Sequence, residues 1–346
     1  MADVERDLTS LLERAIGEDG PGAILGLSLP LHGIEWQGAA GHFARGSERP
    51  LQPGDGFRIA SMSKTFTATL VMRCVEAGTL RLEATLDEFF PRAFVRRVHS
   101  DGASITLAHL LNHTAGLWDF ALSDAWFNEL KTEFGRFRAP QEILEWAVAH
   151  GSPVGAVGAA HVYSDTGYVL LGRILEELTG TSYAQLCRRQ ILDPLGMDST
   201  WLEGHEEARS TLSHPYAGSL DALVVNGCVD WAAGGHVSTV TDLARFLDAL
   251  FRDGTLVTQR SLDRMLVSVP TPMGARYGLG VGIRREAAHG RPETSHTPWG
   301  HSGHWGSWMF YVPEWRGTIV GTVNRSGQDN RWIASAVIAC VESRSR

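Results

Sequence analysis

The sequence predicts an α+β fold: an antiparallel sheet drawn from both ends of the chain, flanked by terminal helices, with a mainly helical lobe inserted between. Three observations lead there. Residues Ile24 to Leu31 and Ile34 to Ala40 read as a strand pair across His32-Gly33, and Trp308 to Val312 with Thr318 to Asn324 read as strands near the other end. Each end also carries a helical stretch. Residues 3–18 place Val4, Leu8, Leu11, Leu12 and Ile16 on one side, and Ile333 to Val341 closes the chain. From Gly78 to about Val224 the patterning is mainly helical. Two chain ends that share one sheet make an α+β arrangement. The expected division is residues 1–78 and 226–346 for the sheet lobe and 79–225 for the helical lobe, with the active site in the cleft between them.

The elements follow in order. Gly20-Pro21-Gly22 breaks the first helix. Gly54-Asp55-Gly56 is a turn before a helix that starts near Ser61. Its run from Thr65 to Val75 has Phe66, Leu70, Val71, Cys74 and Val75 at helical spacing. Asp87 to Phe90 is stopped by Pro91, Thr106 to Asn112 is a short helix, and Pro140 opens another near its first turn. Tyr168 to Leu178 is an apolar helix closed by Gly180, and Tyr183 to Ile191 is a further helix ended by Pro194-Leu195-Gly196. Ala232 to Thr239 reads as a small-residue loop. A helix from Thr241 to Phe251 follows, with Thr241 or Asp242 as cap. Gly278 to Ile283 alternates as a strand.

Composition excludes several classes. With 346 residues and 43% hydrophobic content the chain can bury a large core. A net charge of -8 argues against a nucleic-acid partner. Apolar runs are short and interrupted, so no membrane span is expected. Cys74, Cys187, Cys228 and Cys340 are scattered and read as free thiols. The charged start, Met1 to Asp7, lacks the apolar core of a signal peptide, and a cytoplasmic protein is expected. His109 and His113 have a metal-type spacing without a neighbouring glutamate or a third ligand, so neither metal nor cofactor is expected.

The chemistry starts at Ser61-Met62-Ser63-Lys64. At a helix start this spacing puts both side chains on one face, where Lys64 can reach the Ser61 hydroxyl. A serine needs such a base, and free N–H groups in the first turn favour an oxyanion. The spacing alone also fits a capping serine with a solvated lysine. Tyr163-Ser164-Asp165 stands at a helix entrance. A tyrosine beside a lysine can carry a proton if the cation lowers its pKa, yet the same residues fit a plain helix cap. His301-Ser302-Gly303-His304 stands beside a predicted strand, where glycine lets a backbone approach closely and an N–H can serve as a second oxyanion donor. Packing and turn formation are the alternative there.

Together, in this order, these stretches resemble the Ser-x-x-Lys, Tyr-x-Asn and Lys/His-x-Gly boxes of the penicillin-recognising serine hydrolases. The chain looks most like the class C β-lactamase branch, which also holds a DD-carboxypeptidase, D-aminopeptidases, D-amino-acid amidases and esterases. Phe57 to Ser61, Leu110 to Leu117, Tyr163 to Tyr168, Pro194 to Met197, Tyr277 to Gly280 and Gly300 to Gly303 agree with that branch. The resemblance runs from about Pro21 to the C-terminal helix and implies a β-lactamase/transpeptidase-like fold.

It also implies roles. Ser61 would be the acylated nucleophile, Lys64 would take its proton alone or jointly with Tyr163, and Tyr163 would return a proton to the leaving group. The N–H groups of Ser61 and His304 would form the oxyanion hole. Asp165, His301, Ser302, Gly303 and Trp305 would line the substrate site. His301 stands where β-lactamases usually have lysine. Asp165 stands where asparagine is usual. Its charge would hold Lys64 as a cation, and an ionised carboxylate offers no donor to a substrate carbonyl. Either the Asp165 pKa is raised or substrate is positioned differently. Trp118, Trp126, Trp231, Trp305 and Trp308 flank the boxes and suit an aromatic pocket or, more ordinarily, the core. The stretches around Ser61, His113 and Tyr163 look closest to the amidase and aminopeptidase members. The expected function is acyl-enzyme hydrolysis of a small amide, such as a D-amino-acid amide or short D-peptide. An esterase is the alternative; a β-lactamase, a DD-peptidase or a non-catalytic penicillin-binding-like protein follows. β-Lactams are possible acylating ligands.

Overall fold

Alternation along the strands sorts side chains between two cores. In Gly22–Leu29, the residues Ala23, Leu25, Leu27 and Leu29 join one apolar cluster and Ile24 joins the other. In Ser307–Val312, Trp308, Phe310 and Val312 go with the first set, Met309 and Tyr311 with the second. The first cluster is closed by the terminal helices Ala2–Ile16 and Arg331–Arg344, through residues such as Leu8, Leu12, Ile333 and Val337. Onto the opposite face packs the helix Val240–Leu247. The approach is close enough that a Cβ on Gly26 would lie 2.9 Å from the Val240 Cβ.

This computed structural model describes residues 2–17, 20–283, 296–327 and 331–344; residue 18, the end of the first predicted helix, lies outside them. The sheet has eight antiparallel strands. Their spatial order is Ile34–Gly41, Gly22–Leu29, Gly317–Thr322, Ser307–Val312, Trp299–Gly303, Gly282–Ile283, Arg276–Tyr277 and Val269–Pro270. Leu25 pairs with Gly321, so the N-terminal hairpin docks on the last strand. The architecture is α+β, as the sequence predicts.

The helix Ser63–Glu76 packs against Asp165–Thr179 and the short helix Trp231–Gly234. Ser63 through Met72 are all buried, which explains why its apolar residues are not confined to one stripe. Asp165–Thr179 ends at Gly180 in the left-handed conformation that a helix C-terminus favours.

Five local expectations are corrected. The helix does not start at Ser61: a tight 3-10 turn, Ala60–Met62, precedes the α-helix. Ala232 to Thr239 is not a loop, because His236–Ser238 is a strand between Phe57–Arg58 and Trp201–Leu202. Strands of two or three residues are too short to show a period. Thr239, rather than Thr241 or Asp242, caps the helix Val240–Leu247, since Asp242 accepts hydrogen bonds from Thr200 and Ser199 instead. Within Gly278 to Ile283 only Gly282–Ile283 is strand. Gly280 takes φ +75° in a turn packed on Ala68, where a Cβ would clash at 2.3 Å. Likewise Tyr183 to Ile191 is helical only to Cys187, and a wider π turn, Arg188–Leu192, follows.

Candidate active site

Ser61 is presented by a constrained turn. Ala60, just before it, holds φ +47°, a conformation that costs a residue with a Cβ about 1–2 kcal/mol. Neighbours hold that turn in place. The Ile59 N–H donates to the His236 carbonyl at 3.0 Å, and the Ser307 hydroxyl donates to the Ile59 carbonyl at 3.2 Å. Three residues on, Lys64 lies in the first turn of the helix and is fully buried.

The Lys64 Nζ donates to Ser61 Oγ at 3.0 Å and to the Ala233 carbonyl at 2.9 Å. It also meets Asp165 Oδ1 at 2.6 Å, an ion pair set off the hydrogen-bond axis of that oxygen. An ammonium has three protons and no acceptor, and a buried one needs such partners. From the other side the Tyr163 hydroxyl donates to Ser61 Oγ at 2.8 Å. Lys64 and Tyr163, the latter 102 positions away, therefore meet around the Ser61 oxygen, and Asp165 joins them through Lys64.

The electrostatics differ from the sequence expectation in one respect. Burial first, and the Asp165 charge second, push the Tyr163 phenol well above its ordinary range. The hydrogen bond to Ser61 works the other way but does not outweigh them. The phenol is thus a protonated donor. Two further carboxyls crowd the region. Asp119 Oδ1 accepts the Asp165 N–H at 3.3 Å and the Ala121 N–H at 3.1 Å, while Oδ2 is buried without a hydrogen-bond partner. Burial, then the charge of Asp165, push Asp119 up to about 7, and the same two causes push Asp230 up to about 7.

The strand Trp299–Gly303 runs against the Ser61 turn. A Cβ on Gly303 would sit 2.3 Å from the Ile59 carbonyl oxygen and 3.1 Å from the Ala60 Cβ, an approach only glycine permits. His301 is buried, and both ring nitrogens are engaged by the protein. Nδ1 donates to the Ser302 carbonyl at 2.8 Å, since a carbonyl can only accept, and Nε2 lies 3.0 Å from the Tyr277 hydroxyl. Ser302 stands opposite Trp308 in the register. His304 opens the turn at 304–306, with its ring exposed and edge-on to Trp305 at 4.8 Å. The Trp305 ring lies 5.9 Å from the Arg58 guanidinium. That guanidinium is itself held by Glu203 at 2.6 and 2.8 Å.

Three of the tryptophans take the core alternative rather than the aromatic pocket. Trp126, Trp231 and Trp308 are core residues, and Trp308 packs under the terminal helices. Trp118 contributes its carbonyl, which accepts the hydroxyls of Ser164 and Thr166. Sequence reasoning missed Asp119, Asp230, and roles for His113 and Tyr277. The last two stand in stretches noted for resemblance, and a ring residue inside an apolar run was their signal. Asp119 and Asp230 carry no local signature.

A hydroxyl flanked by an amine and a phenol, beside a glycine-edged strand, is the equipment of a serine acyl-transfer site on a β-lactamase-like fold. The family model described as Beta-lactamase matches residues 31–339, and the chain belongs to that family. Penicillin-binding protein 4* of Bacillus subtilis is 30% identical over 277 residues, which cover 75% of this chain and 57% of that protein. The D-alanyl-D-alanine-carboxypeptidase/endopeptidase AmpH of Escherichia coli is 26% identical over 255 residues, 68% of this chain and 62% of that protein. The chain thus spans about three fifths of the length of these curated relatives. Among solved structures, D-amino acid amidase from Ochrobactrum anthropi SV3, complexed with L-phenylalanine amide, superposes with a TM-score of 0.86. It is 26% identical, with 99% of this chain and 100% of that one covered. A D-stereospecific amidohydrolase from Streptomyces sp. gives a TM-score of 0.84 at 26% identity, covering 96% and 98%. Among the described residues, no helix is long and apolar enough to cross a membrane.

Proposed function

We propose that this protein is a serine hydrolase that cleaves a small amide, a D-amino-acid amide or short D-peptide, through an acyl-enzyme on Ser61. The observation that carries this is the approach of Lys64 Nζ and the Tyr163 hydroxyl to Ser61 Oγ, at 3.0 and 2.8 Å. Ser61 Oγ bonds to the carbonyl carbon, and its proton passes to the amine form of Lys64. The oxyanion is received by the N–H groups of Ser61 and His304. As the C–N bond breaks, Tyr163 gives its proton to the leaving nitrogen and is reprotonated from Lys64. Water repeats the sequence on the ester, releasing the acid and restoring Ser61. A phenol kept protonated by burial suits the donor step.

The charge balance favours an amino-acid amide. Asp165 pairs with Lys64, and Asp119 and Asp230, each pushed up to about 7, add negative charge beside it as pH rises through neutrality, so a substrate ammonium is then attracted and a substrate carboxylate repelled. A substrate ammonium at Asp165 would compete with Lys64 for that carboxylate. His301, already engaged on both nitrogens, supplies no spare point charge for a carboxylate. The D-amino acid amidase likeness over the full chain supports the same substrate class.

The test is a panel of D- and L-phenylalanine amide, N-acetyl-D-phenylalanine amide, p-nitrophenyl acetate and nitrocefin, run on the wild type and Ser61→Ala. Intact-mass analysis after fluorophosphonate treatment accompanies it. Turnover of the free-amine D-amide above its acetylated analogue, with an adduct absent from Ser61→Ala, is expected. Turnover of the esters alone replaces the amidase reading by the esterase one, and no adduct on wild type sinks the acyl-enzyme.

A further inference from the structure

Tyr163 carries no regular secondary structure of its own; it lies just before the helix Asp165–Thr179. Something must nonetheless hold its hydroxyl within 2.8 Å of Ser61. The residues on either side of it are held by the same partner, His113. The Val162 N–H donates to the His113 carbonyl at 2.7 Å, and the Ser164 N–H donates to His113 Nδ1 at 3.1 Å. Between these two bonds the His113 ring lies along the phenol, with centroids 4.3 Å apart and planes 34° apart. His113 holds φ +61°, a left-handed conformation that turns its carbonyl and its ring toward the same segment. Tyr168 and Tyr277 close around the ring at 5.2 and 4.8 Å, with His161 at 5.5 Å.

Because Nδ1 accepts a backbone N–H, the proton sits on Nε2 and the ring is neutral. Burial, with Lys64, His161 and His301 nearby, pushes the imidazole well below the usual histidine range, so it stays an acceptor at working pH.

We infer that His113 is the positioning residue of Tyr163, clamping it from both sides so that the phenol meets Ser61. This rests on the acyl-enzyme reading above. A shift of about 1 Å in a reacting group costs on the order of 10²-fold in rate, so the clamp is expected to appear in the acylation rate.

The experiment follows Ser61 labelling by a fluorophosphonate, by intact mass, in wild type, His113→Asn, His113→Phe, Tyr163→Phe and the double variant His113→Phe/Tyr163→Phe. Asparagine tolerates the left-handed backbone and presents an acceptor in the place of Nδ1; phenylalanine keeps the ring and loses the acceptor. His113→Asn is expected to label within about threefold of wild type and His113→Phe to be slower by at least about tenfold. The double variant is expected to be no slower than Tyr163→Phe, because the clamp has no other target. Additive losses in the double variant, or wild-type labelling by His113→Phe, overturn the role while leaving the acyl-enzyme reading intact. Wild type without any adduct removes that reading and the role with it. If His113→Phe does not fold, His113→Gln, whose amide oxygen sits one bond further out, takes its place with the same expected loss.

Discussion

Lys64 Nζ stands 2.6 Å from the Asp165 carboxylate and 3.0 Å from the Ser61 hydroxyl, so one buried amine bridges a carboxylate and a hydroxyl. Under the proposed acyl-enzyme reading, Asp165 and Ser61 compete for the same side chain.

Under the proposed reading, Asp165→Asn is expected to favour substrates without an ammonium, since the variant no longer offers a carboxylate to one. The ratio of kcat/KM on D-phenylalanine amide to that on its N-acetyl form, in wild type and variant, checks this. An unchanged ratio would show that Asp165 does not meet the substrate ammonium.

The Asp119 carboxyl is expected to make stability fall as pH rises. Its folded pKa, about 7, is above that of an unfolded aspartate, so between the two values the native state binds more protons. Stability is then lost through that window as pH increases, the reverse of a salt-bridged carboxylate. Asp119→Asn keeps an acceptor for the Asp165 N–H and removes the titration. The Tm of the variant minus that of wild type should grow from pH 5 to pH 8. A constant difference contradicts the raised value.

Gly303 sits where the strand touches the turn that carries Ser61. Gly303→Ala must push the strand away from Ile59 and Ala60, since its Cβ would meet the Ile59 oxygen at 2.3 Å. Loss of one well-placed oxyanion donor costs about 10²–10³-fold in kcat. A loss in that range, with the folded sheet retained by circular dichroism, is expected. Unchanged kcat would detach this strand from the chemistry.

Much of this was legible in the residues themselves. The short continuous apolar run in Ser307–Val312 and the helical spacing from Phe66 to Val75 are local signals, because burial on both strand faces or all round a helix imposes them directly. The three-residue spacing of Ser61 and Lys64 likewise sets one beside the other through a single turn of backbone. The short strand His236–Ser238 was not legible, because three residues are too few to carry a pattern and its partners are 35 and more than 170 positions away.

Sequence order and residue type were enough to single out Ser61, Lys64 and Tyr163, which the fold brings together, as candidates for acyl chemistry. They were not enough to set the charge on those side chains. The phenol of Tyr163 is raised rather than lowered, and Asp119 and Asp230 gather near Asp165, because burial and like charge act through space between segments that only packing brings together. The same holds for the His113 clamp, whose two hydrogen bonds join residues about fifty positions apart.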